Sequence, residues 1–261
     1  MIYCVADYYV KVDSCFHLES CWQKFEENAD QINADIVLYP LGSRIINRDI
    51  TYGKCKNAEN IFLSNGSFVL IDEPFHHAYS STYDQRINSI FLAYLFSTHA
   101  LKRQMLKFHC SVIAYQGQGI LFLGPSGIGK TTQAELWQKY QDAIIINGDV
   151  GFVQRQKKQV VVWGTPWHGS SPYCENMCVP VVGIIVLKQG KENKLKKLNG
   201  FEMVSEVGKN VLYPTWIENG TEMTINILDQ LLQRIPVYEL TNKADKDSVL
   251  MVKQVVFDEK N

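Results

Sequence analysis

Three kinds of residue in the middle of this 261-residue chain have the types and spacing that chemistry needs. The first is the run Gly124-Pro-Ser126-Gly127-Ile128-Gly129-Lys130-Thr131-Thr132, which fits G-x4-G-K-[ST]. Its glycines let the backbone curl until successive N–H groups point inward at a phosphate, and the N-terminus of a following helix adds partial positive charge. Lys130 contributes a full charge to the β- and γ-phosphates, and the Thr131 hydroxyl is placed for Mg2+. The second is Asp149, 19 residues beyond Lys130 at the end of an apolar run, where a carboxylate would sit beside the phosphates. The third is His109, in "FHCSV". A lone histidine after an aromatic is as readily a core residue as a functional one.

The elements around these residues must position them. "SVIAY", the turn "QGQG" and the wholly apolar "ILFL" read as a strand pair whose second member is buried and central. The glycine loop follows, then a helix "KTTQAELWQKY", then a strand "AIIIN" ending at Gly148 and Asp149. Further on, "VGFVQRQKKQVVVWG" resembles a hairpin with a solvated basic tip. "VPVVGIIVL" is a buried strand, "NKLKKL" an exposed one, "TINILDQLLQRI" a helix, "PVYEL" a strand and "DSVLMVKQVVF" a closing helix. Upstream, residues 1–80 form a β-rich region: "YCVADYYVKV", "ADIVLYPL", "DITYG" and "IFLSNGSFVLID", the last a hairpin about Asn-Gly. Apolar residues at helical spacing predict a helix from about Tyr83 to Lys107. The expected class is α/β with a mixed sheet, divided into a β-rich N-terminal region (1–80) and a nucleotide-binding core (81–261).

Bulk properties narrow the partners. A hydrophobic fraction of 46% supports a full core, and a formal charge of -1 gives no field that would gather nucleic acid or anionic lipid. No leader-like opening or apolar span is evident, so the chain is expected to be cytoplasmic, with neither nucleic acid nor membrane as partner. Seven cysteines (Cys4, Cys15, Cys21, Cys55, Cys110, Cys174, Cys178) without CxxC pairing read as reduced, mostly buried thiols. The pair Cys174 and Cys178, downstream of His168, has no second ligand pair nearby and reads as part of a loop.

Taken in order, "FHCSV", the strand pair, "GPSGIGKTT" and "INGD" resemble the nucleotide core of the ATP-dependent phosphoenolpyruvate carboxykinases and equally that of HPr kinase/phosphorylase, two families of one fold. In detail "GILFLGPSGIGKTT", "GTPWHGSSPYCENMCVP" and "ENKLKKL" most resemble the small HPr-kinase-like proteins of bacteria, including those accompanying modified-peptide clusters. The likeness covers about residues 105–200 and, more weakly, "IPVYEL". It implies a P-loop kinase core of phosphoenolpyruvate carboxykinase type, with ATP and Mg2+ as cofactors and His109 near the γ-phosphate or metal. Both families place two adjacent carboxylates where this chain has Gly148-Asp149-Val150. Either Asp149 is the base and Mg2+ rests on Thr131, phosphate oxygens and water, or Asp149 holds the metal and His109 or His168 is the base.

The expected activity is therefore transfer of the ATP γ-phosphoryl group to a hydroxyl, a serine of a peptide or small protein. The acceptor is expected across the loop Trp163–Ser171, whose tryptophans either face it or plug the core, and across the N-terminal strands. Two alternatives stand beside this: a nucleotide-binding regulatory module without turnover, and a kinase of a small molecule such as serine. Carboxykinase chemistry would need an arginine cluster that six arginines, with only Arg155 between Asp149 and Arg234, do not supply. Assembly with further copies of the chain stays open.

Overall fold

The computed structural model describes residues 1–28, 32–41, 60–72, 74–157 and 159–258. The expected strand "DITYG" lies outside them. The chain divides into two compact units, Met1–His99 and Ala100–Asn261.

The first unit holds a six-stranded mixed sheet: β1 (Ile2–Val5), β2 (Tyr8–Val12), β3 (Ile36–Pro40), β4 (Asn60–Ser64), β5 (Ser67–Ile71) and β6 (His77–Ser80), in the order β1-β2-β3-β6-β5-β4. The pairs β2–β3 and β3–β6 are parallel. Asn65 and Gly66 both take positive φ between β4 and β5, the mirror-image turn that matches strand twist. "YCVADYYVKV" reads as one strand in the sequence, yet it is a hairpin: Ala6 and Asp7 take φ of 50° and 60° and fold β2 back on β1. Asp7 is the one turn-forming residue of the two and no glycine or asparagine accompanies it, so the turn signal there is weak.

Helix α1 (Gln85–Lys102) starts where the Asp84 carboxylate accepts from the N–H groups of Arg86 and Ile87 at 2.9 and 3.0 Å. It ends five residues earlier than its apolar spacing predicts. Gln104 takes φ of 60°, which reverses the chain, and Met105 already begins a strand. The sequence reading begins the core at residue 81, whereas α1 falls within the first unit as far as His99. The reason is its packing: Phe91, Leu92, Leu95 and Phe96 are buried, Phe96 meets Tyr8 edge-on at 5.2 Å, and Trp22 Nε1 donates to Ser89 Oγ.

The second unit is a nine-stranded mixed sheet with helices on both faces. Its elements are β7 (Met105–Tyr115), β8 (Gln118–Leu123), α2 (Lys130–Gln141), β9 (Ile144–Asn147), β10 (Val150–Gln156), β11 (Gln159–Trp163), β12 (Cys178–Gln189), β13 (Lys194–Leu198), α3 (Gly200–Gly208), β14 (Val211–Leu212), α4 (Gly220–Leu232), β15 (Val237–Asn242) and α5 (Lys246–Lys253). The strand order is β11-β10-β7-β8-β12-β15-β13, with β9 and β14 also paired to β7. Among the described residues of this unit, β8–β12 and β12–β15 pair in parallel and the other pairs are antiparallel. Alternate residues of β8 enter different cores: Leu121 and Leu123 pack with Leu228 and Leu231 of α4, Ile120 and Phe122 with Trp137 of α2 and Val249 of α5. Burial on both faces explains why this strand is apolar from Gly119 to Leu123. Helix α3, bounded by two glycines, was not expected from the sequence, although Met203 and Val207, four residues apart, turn to the core while Phe201 and Val204 stay exposed. Among the described residues no helix is long and apolar enough to cross a membrane.

Of the cysteines expected to be reduced and mostly buried, Cys110 is enclosed but Cys15 and Cys178 are exposed, and Cys21 and Cys174 are disulfide-bonded. Burial pushes the Cys110 thiol far up its scale and the Cys15 thiol, beside Asp13, up to about 11. Neither is poised as a thiolate nucleophile.

Candidate functional site

A cleft of about 380 Å³ in the second unit is lined by His109, Ser126, Gly127, Gly129, Lys130, Thr131, Thr132, Gly148, Asp149, Ser170, Ser171 and Pro172. Of the candidate phosphate-binding residues of the glycine loop, Gly124 and Ile128 do not line it. Ile128 packs into the core beneath α2, and its N–H donates to the Pro125 carbonyl at 3.3 Å. Gly124, at φ 142°, is hemmed in by the Ile128 side chain, so it shapes the loop from behind.

The glycine loop leaves β8 and opens α2. Gly127 and Gly129 take φ of 78° and 107° with open space where a Cβ would stand. Gly129 is the N-cap of α2 and provides no side-chain acceptor. The first helical N–H groups therefore carry their partial charge into the cleft without a capping partner.

Lys130 is buried, and its ammonium has three protons and three acceptors: His109 Nε2 at 2.8 Å, Gly124 O at 2.9 Å and Pro125 O at 3.2 Å. Since an ammonium only donates, His109 Nε2 accepts and the imidazole proton belongs on Nδ1. That nitrogen faces Asp149 Oδ1 at 3.4 Å. The three side chains thus form one chain, Asp149 to His109 to Lys130. Burial lowers the His109 pKa below its ordinary value and the Lys130 charge lowers it further, while Asp149 opposes both. Burial also lowers Lys130, against the pull of Asp149. Lys107, two residues before His109 on β7, is lowered by burial as well and is raised in part by the same carboxylate.

Thr131 Oγ1 donates to the Gly148 carbonyl at 3.2 Å, as does Ser111 Oγ at 2.9 Å. With its proton so directed, the Thr131 oxygen keeps lone pairs for a cation. The Thr131 hydroxyl and the Asp149 carboxylate are oxygen donors of the kind that could hold Mg2+, in a cleft also lined by Ser126, Thr132, Ser170 and Ser171.

The facing wall is the loop Trp163–Ser171. Sequence reasoning missed the residue that organises it, Asn147, which is fully buried at the end of β9. Its Nδ2 donates to the carbonyls of Thr165 and Trp167 at 3.1 and 2.9 Å, and its Oδ1 accepts from the N–H groups of Asp149 and Val150, both at 2.9 Å. One side chain therefore clips the loop to the Asp149 turn. Trp167 is buried with its ring 6.2 Å from Phe152, and Trp163 donates its indole N–H to Gln154, so the tryptophans fill and brace this wall and do not form an exposed aromatic surface. The His168 ring lies against the Ser171 carbonyl and does not line the cleft. Cys174 bridges to Asn147 while Cys178 opens β12, so the two belong to different elements.

Close packing leaves no room for a side chain at Gly148. A Cβ there would lie 1.9 Å from Ser171 Oγ and 2.5 Å from Ser171 Cβ. Gly169, at φ 59°, would likewise press a side chain onto Asp149 Oδ2, at 2.4 Å. The loop lies so close to the Asp149 turn that only glycine fits at both places, a constraint invisible in the sequence because it joins residues far apart in it.

No protein-family model and no curated protein matches the chain. Among solved structures it is similar to the HPr(Ser) kinase/phosphatase from Coxiella burnetii, at 15% identity and a TM-score of 0.33, covering 59% of this chain and 99% of that one. That distant likeness assigns no role to any residue.

Proposed function

We propose that the chain is an ATP- and Mg2+-dependent kinase with a P-loop core of phosphoenolpyruvate carboxykinase type, which passes the γ-phosphoryl group to a hydroxyl, a serine of a peptide or small protein. The observation that carries this reading is the convergence of Lys130, His109 and Asp149 on one cleft bordered by the uncapped glycine loop. When bound, ATP with Mg2+ supplies the phosphoryl group and part of the charge that neutralises it. The loop amides and the α2 N-terminus hold the phosphates, and Lys130 exchanges one of its present acceptors for a phosphate oxygen. Thr131 offers its hydroxyl oxygen to the cation. Asp149, the one carboxylate among the lining residues, receives the proton of the acceptor hydroxyl, while His109 Nδ1–H orients it.

A second reading, nucleotide binding without turnover, draws support from Gly148, where close packing against Ser171 leaves no room for a second carboxylate. One experiment separates the two. The full chain is titrated with MgATP by calorimetry, then given γ-labelled ATP with serine-containing peptides or with free serine in single-turnover reactions. Label on a peptide supports the proposal, and label on free serine makes the acceptor a small molecule. Binding with no transfer supports the regulatory reading, and absence of binding sinks both.

A further inference from the structure

Asn210 lies between α3 and β14, far along the chain from the glycine loop, and is buried. Its place follows from how β7 changes partners. β7 and β8 run antiparallel up to the pair Cys110 and Leu123. One step further His109 and Gly124 part, because β8 turns into the glycine loop. On that side of β7 its place is taken by β14, with Val211 opposite Phe108. Such a junction threatens to leave main-chain N–H groups without ladder partners in a buried place.

Both N–H groups of the parting pair go to one residue. The Asn210 carbonyl accepts from His109 N at 2.9 Å, and the Asn210 side-chain Oδ1 accepts from Gly124 N at 3.0 Å. Its Nδ2 donates to the Glu206 carbonyl in the last turn of α3, at 2.9 Å. Glu206 is in turn held by Lys188 of β12 at 2.8 Å. An aliphatic residue at 210 could satisfy His109 through its carbonyl but would leave Gly124 N buried and unpaired.

We infer that Asn210 is a positioning residue of the nucleotide site: it sets the origin of the glycine loop against the backbone of His109. The Lys130 ammonium and the His109 imidazole, 2.8 Å apart, thereby reach a phosphate in register. The inference rests on the nucleotide reading above, and its test keeps the two apart. Full-length Asn210→Ala is compared with wild type and with Val207→Ala, a fully buried core truncation in α3 that leaves Gly124 N its acceptor and serves as a stability-matched control. Asn210→Ser, a milder truncation, replaces the alanine variant if that does not fold. Thermal midpoint, MgATP affinity by calorimetry and hydrogen exchange at the Gly124 amide are measured for each.

Asn210→Ala is expected to weaken MgATP binding about tenfold and to speed Gly124 exchange more than that of neighbouring β8 amides. Val207→Ala is expected to lose thermal stability while binding MgATP like wild type. Affinity that follows the thermal midpoint in both variants overturns the inference, as does an Asn210→Ala chain that binds as tightly as wild type. A wild-type chain that binds no MgATP removes the proposed function and this inference together.

Discussion

The two walls of the cleft treat their hydrogen-bonding groups in opposite ways. On the glycine-loop wall, Gly127 and Gly129 stand beside empty space and α2 begins without a side-chain cap. On the facing wall, Asn147 engages two carbonyls and two N–H groups, Ser171 packs onto Gly148, and Gly169 packs onto Asp149. The first wall has capacity left for a ligand, and the second has used its capacity to hold one carboxylate in place. Chemistry at such a site is expected to depend on Asp149, binding on the glycine loop, and the fold on what joins the facing wall to its strand.

The largest expected effect tests that division directly. Asp149→Asn keeps the shape of the side chain and removes its basicity, so turnover should fall by roughly 10²–10⁴-fold, the range for losing a general base. Its thermal midpoint should stay near that of wild type, because the main-chain bonds of residue 149 to Asn147 and Cys110 remain. Near-normal phosphoryl transfer by this variant would take the base role away from Asp149.

Asn147→Ala reverses the pattern. It removes the clip and leaves the N–H groups of Asp149 and Val150 and two carbonyls without their partner. Stability should drop by about 3 kcal/mol, seen as a lower midpoint in denaturant at unchanged slope. If the loss is only a few tenths of a kcal/mol, the facing wall is held by something other than Asn147, and the contrast between the walls weakens.

How much of this was legible in the sequence follows the same contrast. The glycine-loop wall is local: one run of nine residues after an apolar strand states both its backbone shape and its charge, and Asp149 follows at the end of the next strand. The mixed sheet was also readable, because β8 from Gly119 to Leu123 and β12 from Val179 to Leu187 hold no polar side chain. The facing wall was not. Asn147 looks like an ordinary strand end, and Gly148 like a turn, until the loop some twenty residues on is laid against them. Asn210 is subject to the same limit. Its meaning comes from a strand junction between β8 and β14, nearly ninety residues apart in the chain, and no local pattern encodes it.

Lys130→Ala tests the open wall. Removing the ammonium should weaken MgATP binding tenfold or more, on the order of 1.4 kcal/mol, measured by calorimetry. The loss is moderated because the wild-type ammonium must first give up one of its three present acceptors. Unchanged affinity would remove the glycine loop from nucleotide binding and leave the cleft with no wall built to receive a ligand.

The smallest effect belongs to His109, which touches both walls through Lys130 and Asp149. If it acts mainly where charge builds during transfer, His109→Gln should lower kcat more than it changes the KM for ATP. An equal change in both would make it a binding or packing residue. Its pKa gives a second, independent readout. Burial and Lys130 hold the folded value below the ordinary 6.5, so between that folded value and 6.5 the unfolded chain takes up a proton that the folded chain refuses. The stability tied to this histidine is therefore fully present above pH 6.5 and is lost as pH falls through that interval. Denaturant midpoints of wild type should decline over it, and those of His109→Gln should decline less steeply. A variant whose acid-side slope equals that of wild type would mean that Asp149 cancels the effect of burial and Lys130, and that His109 is as free to charge in the fold as outside it.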